Sequence, residues 1–268
     1  MPKVSPKVLI VTPDKLHAAA SPPGIASSGQ LQAYLDGAKD PIHLHLARLA
    51  PGEELCIGPQ AADCVAYVWA GMVSAGGAVL AAGSSAIVEA GEVLTMVGAG
   101  GGETQVLTFA GSQAAAHGRG GGHVHLLPAE RVPKAEALAG SQGVGGGMHS
   151  DGQCETCEVW LHENHFAAGM PISPEQAKRG IHSHSESEVI FITRGAIRLG
   201  QKLFPAGTAV AIAADTLYAI APGPEGMSFI NFRAGTPSDI RFANGMAMSE
   251  TGYWQDRLPR PEYLAVAD

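Results

Sequence analysis

Two histidines and a glutamate are spaced in this chain in a way that suits metal binding. His182 and His184 are followed by Glu188 and then by Gly195, in the run HSHSESEVIFITRG. Side chains two residues apart in a β-strand point to the same face, so the two imidazoles should converge. The polar residues that follow predict a turn, and the apolar run after Glu188 predicts a returning strand. Two neutral imidazoles and one carboxylate suit one divalent transition metal, which could be Fe, Mn, Zn or Ni.

This spacing resembles the first sequence motif of the cupin superfamily. The motif has two histidines with one residue between them, then three residues and a glutamate, then six residues and a glycine. The resemblance implies small antiparallel β-barrels of jelly-roll type that hold a metal inside the barrel. Residues 203–218 resemble the second part of the motif, but Tyr218 stands near the place where a typical cupin has a histidine. Tyr218 is either a ligand or base beside the metal or a core tyrosine with a satisfied hydroxyl. A tyrosine beside the metal is also the base of cupin lyases that act on dimethylsulfoniopropionate.

The same pattern occurs twice in the chain. Gly71 matches Gly195 and Gly83 matches Gly207, each pair being 124 residues apart. Such repetition predicts two similar domains. The same offset assigns no convincing ligand set to the first repeat, so we expect its barrel to be degenerate and metal-free. The positions equivalent to His182, His184, Glu188 and Tyr218 are Gly58, Gln60, Cys64 and Leu94.

Short apolar runs with glycine and proline between them predict an all-β fold of two tandem jelly-roll barrels. Strands are predicted at 64–69, 79–80, 189–192 and 209–212, and short helices at 28–37, 173–179 and 134–138. The glycine clusters at 118–122 and 143–147 predict a linker, because glycine-rich runs weaken strands. The predicted domains are therefore an N-terminal barrel at 1–117, a glycine-rich linker region at 118–150 and a C-terminal barrel with the metal site at 151–268.

Composition excludes several classes of protein. Hydrophobic residues make up 46% of the chain, enough for two cores, and the formal net charge of -8 offers no basic surface for nucleic acid. The sequence shows no signal peptide and no apolar stretch that predicts a membrane span, so we expect a cytoplasmic protein. Exposed sheet edges in barrels of this class favour a homodimer. Four cysteines do not form a disulfide framework.

Two other motifs resemble metal sites. Cys154 and Cys157 have the spacing of half a zinc site, but no second such pair completes it, so we interpret them as residues leading into a strand. His123, His125 and Glu130 imitate the histidine–glutamate pattern. Prolines flank that glutamate and no glycine follows at the required place, so the returning strand is missing and we interpret the motif as a decoy.

Two further histidine groups lie on predicted strands. His43 and His45 share one strand face without a carboxylate at a useful distance, which favours surface or domain-interface histidines. His162 lies in the alternating segment 158–164, which is expected to begin the C-terminal barrel, and it shares a face with Asn164. We predict that His162 faces the same cavity as the metal motif and takes part in catalysis.

The predicted site suits an enzyme. Two histidines and a carboxylate leave ligand positions open on a metal, which is typical of non-haem iron oxygenases, whereas another divalent metal could act as a Lewis acid in a lyase or isomerase. We expect a metal-dependent enzyme acting on a small organic acid or aromatic compound, with oxygenase chemistry first. The alternative is a non-catalytic binding or sensor protein. The pKa of Tyr218 should fall below about 10 beside a divalent cation.

Overall fold

A computed structural model describes residues 7–19, 22–38, 41–111, 122–135, 144–151, 154–168, 180–235, 239–250 and 258–266. These residues form antiparallel sheets, with helical structure limited to the single turns Pro13–Lys15 and Ala129–Arg131 and to residue Glu250. The prediction of an all-β fold is therefore confirmed. Among the described residues, no helix has the length and apolar character that crossing a membrane requires.

The strands are numbered along the chain. They are β1 Val8–Val11, β2 His17–Ala18, β3 Ile25–Ser27, β4 Gln30–Asp36, β5 Ile42–Leu49, β6 Glu54–Ile57, β7 Cys64–Ala70, β8 Met72–Ala75, β9 Ala78–Ala81, β10 Ser85–Val88, β11 Leu94–Ala99, β12 Thr104–Gly111, β13 Val124–Leu127, β14 Lys134–Ala135, β15 Val144–Asp151, β16 Trp160–Phe166, β17 His182–His184, β18 Glu188–Leu199, β19 Lys202–Pro205, β20 Ala209–Ile212, β21 Ala221–Arg233, β22 Asp239–Phe242, β23 Ala247–Ser249 and β24 Leu264–Ala265.

The chain divides into two compact units. The N-terminal unit comprises Leu16–Val132, Gln153–Val159 and Pro261–Asp268. It contains an eight-stranded sheet in the order β2-β4-β5-β12-β7-β10-β13-β24 and a five-stranded sheet in the order β3-β6-β11-β8-β9. Leu44, Leu46 and Leu49 are among its fully buried side chains.

The C-terminal unit comprises Met1–Lys15, Pro133–Gly152 and Trp160–Arg260. Its large sheet has the order β1-β20-β18-β21-β16-β15-β14, with β19 paired to β18, and a small sheet has the order β17-β22-β23. The predicted metal motif therefore spans two sheets, because β17 carries the histidines and β18 begins with the glutamate.

The 124-residue repeat is visible in the strands and their hydrogen bonds. β9 and β10 match β19 and β20 at both ends with this offset, and β7 and β18 begin at equivalent residues. The amide of Ala82 donates to the carbonyl of Gly71 at 3.0 Å, and the amide of Ala206 donates to the carbonyl of Gly195 at 2.9 Å. The two repeats therefore share one hairpin geometry.

The predicted domain boundaries differ from the observed units. Residues 1–15 lie in the C-terminal unit, where β1 pairs with β20, and residues 261–268 lie in the N-terminal unit, where β24 pairs with β13. Pairing between strands so far apart in the chain leaves no local signal, so sequence spacing alone could not assign either strand.

The helix predicted at 28–37 is wrong, because Gln30–Asp36 is strand β4. Leu31 and Ala33 are buried at a spacing of two residues, which is the period of a strand. Residues 134–135 of the helix predicted at 134–138 form strand β14. The helix predicted at 173–179 lies outside the described residues.

Residues 144–147 of the second glycine cluster belong to a strand rather than a linker. Residues 144–151 form β15, which pairs with both β14 and β16. Pairing on both edges supplies the backbone hydrogen bonds that keep glycines in a strand despite their low propensity. Most of the other cluster, 118–121, lies outside the described residues.

We predict that Gly195 cannot be replaced. Gly195 has a φ of +71°, and a Cβ atom there would lie 2.3 Å from the carbonyl oxygen of Gly226. Gly200 has a φ of +60° but no atom within 4 Å of the place that a Cβ would occupy. Replacing Gly200 by alanine therefore measures the free-energy cost of the backbone conformation without a steric clash. Gly200→Ala should lower the free energy of unfolding by about 1 kcal/mol. Gly195→Ala should cost roughly 2–3 kcal/mol more, measured by urea unfolding. Equal costs would contradict the steric explanation.

Candidate metal centre

Strand alternation brings the Glu188 side chain into the interior of the C-terminal unit. Glu188, Ile190 and Ile192 are two residues apart on β18, so they share one face. Ile190 and Ile192 belong to the apolar core of this unit, and Tyr218 packs against the same core. The glutamate is thus carried inward by the strand that forms that core, and its side chain is 1% exposed.

Strand β21 places two polar side chains beside this carboxylate. Phe229, Asn231 and Arg233 share one face of β21, and Phe229 belongs to the same core. The side-chain amide of Asn231 donates to Glu188 Oε2 at 2.5 Å. His162 on β16 lies directly opposite Asn231. The side chains of His162 and Asn231 therefore point to the same face of the sheet.

A buried guanidinium lies at the centre of the cluster. Arg233 donates from Nη2 to Glu188 Oε2 at 3.1 Å and lies 3.2 Å from Nε2 of His184, while Nη1 donates to Glu250. Burial opposes ionisation of Glu250, but the guanidinium and His184 outweigh it and lower the pKa of that carboxyl to about 2. The pKa of Glu188 is also lowered, with Arg233 and His184 overcoming its burial. Both glutamates are therefore carboxylates paired to one cation.

Hydrogen bonds orient the two imidazoles. His182 Nδ1 lies 2.7 Å from the carbonyl oxygen of Gly180, which makes Nδ1 the donor and leaves the Nε2 lone pair to accept from Tyr218 Oη at 3.1 Å. His184 Nδ1 lies 3.3 Å from Glu250 Oε2, so its Nε2 lone pair faces Arg233. Burial lowers the pKa of His182, which favours its neutral form. Each imidazole is thus held with Nε2 as an acceptor.

Tyr218 lies beside the predicted ligands, but it is not acidified. Its backbone exchanges two hydrogen bonds with that of His182, at 2.9 and 3.0 Å, which fixes the ring next to the motif. Burial and the charge of Glu188 raise the pKa of the phenol well above 10. The fall in the pKa of Tyr218 expected beside a divalent cation stays a prediction, and the charges of the chain itself keep Tyr218 a neutral hydroxyl donor.

The donor set fits a divalent transition metal in its chemistry. His182 is anchored by its Nδ1 hydrogen bond and directs Nε2 the other way, which is the usual arrangement behind metal-bound histidine. Within the described ranges, His184 Nδ1 has only its ion-pair contact with Glu250 at 3.3 Å. Glu188 Oε1 is buried without a hydrogen-bond partner among the described residues and lies 3.9 Å from His184 Nε2. The three side chains are not as close as ligands of one ion. In the part of the chain that the structure describes, one group of His, Cys and Glu side chains has all its ligand atoms within 4.8 Å of one another. His182, His184 and Glu188 do not belong to that group.

His162 is a buried neutral base. Burial lowers its pKa to about 4, and the nearby charges include Glu250 and Arg233. Its Nδ1 lies 3.5 Å from the side-chain amide of Asn164, as expected for two residues on one strand face. At neutral pH His162 can accept a proton within this cluster.

The equivalent positions of the first repeat carry no such set. Cys64 is buried, and burial raises the pKa of its thiol to about 12, so it is not a thiolate ligand at neutral pH. Its neighbours in the repeat alignment offer an amide, a glycine backbone and a leucine. His45 is 2% exposed, and burial lowers its pKa to about 4, so His45 is not a surface histidine, while the alternative of a domain-interface histidine stays a prediction.

Three residues of the cluster were missed from the sequence: Asn231, Arg233 and Glu250. The first two had a detectable signal, because they continue the inward face of an apolar strand at a spacing of two residues. A polar residue on such a face indicates a buried polar cluster. Glu250 carries no comparable pattern, since it lies just after the short strand β23.

We predict that Arg233 is required for stability. Arg233→Met leaves two buried carboxylates without their cation, so the free energy of unfolding should fall by roughly 3–5 kcal/mol at pH 7. Arg241→Met is the matched control, because Arg241 pairs with Asp215 at 3.3 Å with both side chains more than half exposed. That variant should lose less than about 1 kcal/mol by urea unfolding. Comparable losses would contradict the assigned role of Arg233.

No protein-family model matches the chain, and no curated protein matches it. Solved structures do match. Protein Ylba from E. coli, assigned to DUF861, has a TM-score of 0.62 and 16% identity, covering 87% of this chain and 93% of its own. A mutant of oxalate decarboxylase OxdC from Bacillus subtilis has a TM-score of 0.62 and 12% identity, covering 97% of this chain and 83% of its own. A protein from Nostoc punctiforme described as a candidate dioxygenase has a TM-score of 0.59 and 13% identity, covering 93% and 87%. The fold of this chain is therefore of the cupin type.

Proposed function

We propose that the chain is a metal-dependent cupin enzyme that acts on a small organic acid, with His182, His184 and Glu188 as the metal ligands. The observation that carries the proposal is the placing of His182, anchored through Nδ1, beside His184, whose Nε2 lies 3.9 Å from the Glu188 carboxylate. The bound ion would supply either redox chemistry with oxygen, the reaction type we favour, or Lewis acidity for a lyase or isomerase. The similarity to an oxalate decarboxylase and to a candidate dioxygenase supports a metal-dependent enzyme of this fold.

The residues around these ligands support acid–base chemistry. His162 is neutral and buried, so it can accept a proton from a substrate bound beside it. Tyr218 is a neutral phenol, so it can donate a hydrogen bond to a substrate oxygen when it is not bonded to His182. One acceptor and one donor beside the same ligands exceed what simple metal storage requires.

Arg233 favours an organic acid over a neutral aromatic substrate. Its planar guanidinium is matched to carboxylates, and in this cluster it already binds two of them. A cation that takes over the charge of Glu188 would release one donor edge of the guanidinium. That edge could then bind a substrate carboxylate inside the unit.

The alternative is a non-catalytic binding or sensor protein. It is favoured by the same guanidinium, which forms ion pairs with both Glu188 and Glu250 without any metal. We further propose that both units are cupin barrels and that the histidine–glutamate motif is kept only in the second. A cytoplasmic location and a homodimer stay predictions from the sequence.

Loss of one motif histidine should remove the metal. His184→Ala is expected to lower bound metal by about one ion per chain, because two remaining donors do not hold a divalent ion firmly. Glu186→Gln is the control: Glu186 accepts from the Ser185 hydroxyl at 2.6 Å and belongs to the turn after the histidines. Its metal content should equal that of the unsubstituted protein, measured by elemental analysis. Metal loss in Glu186→Gln but not in Glu188→Gln would show that the wrong carboxylate was chosen.

Tyr218→Phe should separate catalysis from packing. The ring and its contact with His182, at 4.5 Å between centroids, are retained, while the hydroxyl is lost. We expect normal metal content and turnover reduced by roughly 100-fold or more, as for loss of a proton-handling group. Turnover is measured as oxygen uptake and product formation with a panel of small carboxylic acids. Tyr34→Phe, a buried tyrosine of the N-terminal unit, is the control. Full activity in Tyr218→Phe would make Tyr218 a core residue only.

A further inference from the structure

A second group of metal-binding side chains lies in the N-terminal unit, away from the histidine–glutamate motif. Glu89, His125, Cys154 and Cys157 each offer one ligand atom, and these atoms all lie within 4.8 Å of one another. Glu89 and Cys157 are fully buried. These four residues, the Cys/His/Glu cluster, come from three separate segments of the chain. Their convergence is therefore a product of the fold rather than of local sequence.

Strand pairing holds the histidine and the glutamate of this cluster together. β10 pairs with β13, and Glu89 follows β10 directly while His125 lies on β13. His125 Nε2 lies 2.7 Å from Glu89 Oε1, and the amide of His123 donates to Glu89 Oε2 at 3.0 Å. Thr156 donates its hydroxyl to the same carboxylate. Glu89 is thus oriented from both oxygens before any metal binds.

The cysteine segment is oriented by bonds of its own. The amide of Cys157 donates to Cys154 Sγ at 3.1 Å, a hydrogen bond that stabilises a thiolate. Asp63 connects this segment to the glutamate, because it accepts from the amide of Glu158 at 2.7 Å and from the amide of Ala90 at 2.8 Å. One buried aspartate therefore fixes the neighbours of both Cys157 and Glu89. Such outer hydrogen bonds are typical of the support that metal ligands require.

We infer that the Cys/His/Glu cluster binds one zinc ion when its cysteines are reduced. Two thiolates, an imidazole and a carboxylate are ligands that zinc accepts in a tetrahedral site, and thiolates favour zinc over harder ions such as magnesium. Cys154 and Cys157 form a disulfide in the structure. A dithiol reductant must therefore first supply two electrons and two protons to give two thiols. Zinc then displaces the two thiol protons and binds the two sulfur atoms.

A cleft gives an ion access to the cluster. It has a volume of about 590 Å³, and His123, His125, Cys154 and Thr156 are among the residues that line it. The ligands are thus buried on one side and reachable on the other.

The cluster corrects two interpretations drawn from the sequence. Cys154 and Cys157 lack a second cysteine pair, but the fold brings a histidine and a glutamate to them instead. His125 belongs to a candidate metal site, yet its carboxylate partner is Glu89 rather than Glu130. Glu89 is remote in sequence from the other three, so spacing rules could not identify it.

Cobalt substitution tests the inference in the unsubstituted chain. The protein is reduced with a phosphine, stripped with a chelator and titrated with Co²⁺ without oxygen. We expect a sulfur-to-cobalt charge-transfer band that saturates at about one ion per chain. His184→Ala should keep the band, because the other proposed site contains no sulfur ligand. The two proposals can therefore fail separately.

Variants and thiol labelling complete the test. The band should be absent from the double variant Cys154→Ser with Cys157→Ser and retained in Cys56→Ser, a control for a free cysteine. In the unsubstituted reduced protein, Zn²⁺ should protect Cys154 and Cys157 from alkylation while Cys56 is labelled with or without zinc. Labelling of unsubstituted protein does not depend on whether a variant folds. A band that persists in the double variant, or labelling unchanged by zinc, would overturn the inference and leave a redox-inert or purely structural disulfide.

Discussion

The buried guanidinium of Arg233 determines what the interior of the C-terminal unit can contain. Two carboxylates, Glu188 and Glu250, are buried on either side of it, and each would be costly to bury alone. Because one cation forms ion pairs with both carboxylates, the strand that forms the apolar core can also carry an ionised group. Asn231 and His184 complete the network by hydrogen bonding to the same residues. The polar cluster is therefore a single cooperative unit rather than a set of independent pairs.

This network places constraints on any metal at His182, His184 and Glu188. An added divalent ion would compete with the guanidinium for the carboxylate of Glu188 and for Nε2 of His184. The imidazole tautomers are already those a metal needs, because both Nδ1 atoms face acceptors. What must change on binding is the position of the arginine. The arrangement thus couples metal binding to the freedom of a group suited to binding an acid.

Sequence patterns predicted the parts of this protein that depend on local spacing. The all-β class and the strands predicted at 64–69, 189–192 and 209–212 follow from residue types at fixed intervals, and the structure confirms them. The strand predicted to return after Glu188 also forms, but it does not pair with the histidine strand, because β17 pairs with β22. Patterns failed where partners are distant in the chain. β1 and β24 each pair with a strand that is distant in the chain. Glu89 and Arg233 likewise contact side chains that are distant in sequence and close only in the fold. The helix predicted at 28–37 is wrong for another reason, because the buried residues Leu31 and Ala33 have the two-residue period of a strand.

The exchange of outer strands between the units affects how the chain acquires its structure. β1 completes a sheet of the C-terminal unit, and β24 completes a sheet of the N-terminal unit. During synthesis, the N-terminal unit therefore lacks one edge strand until Leu264 and Ala265 have emerged. No single cut in the chain yields two fragments that each contain all the strands described for one unit. The two units are consequently repeats in geometry but not independent modules, and recombining either of them with another protein would leave an edge strand behind.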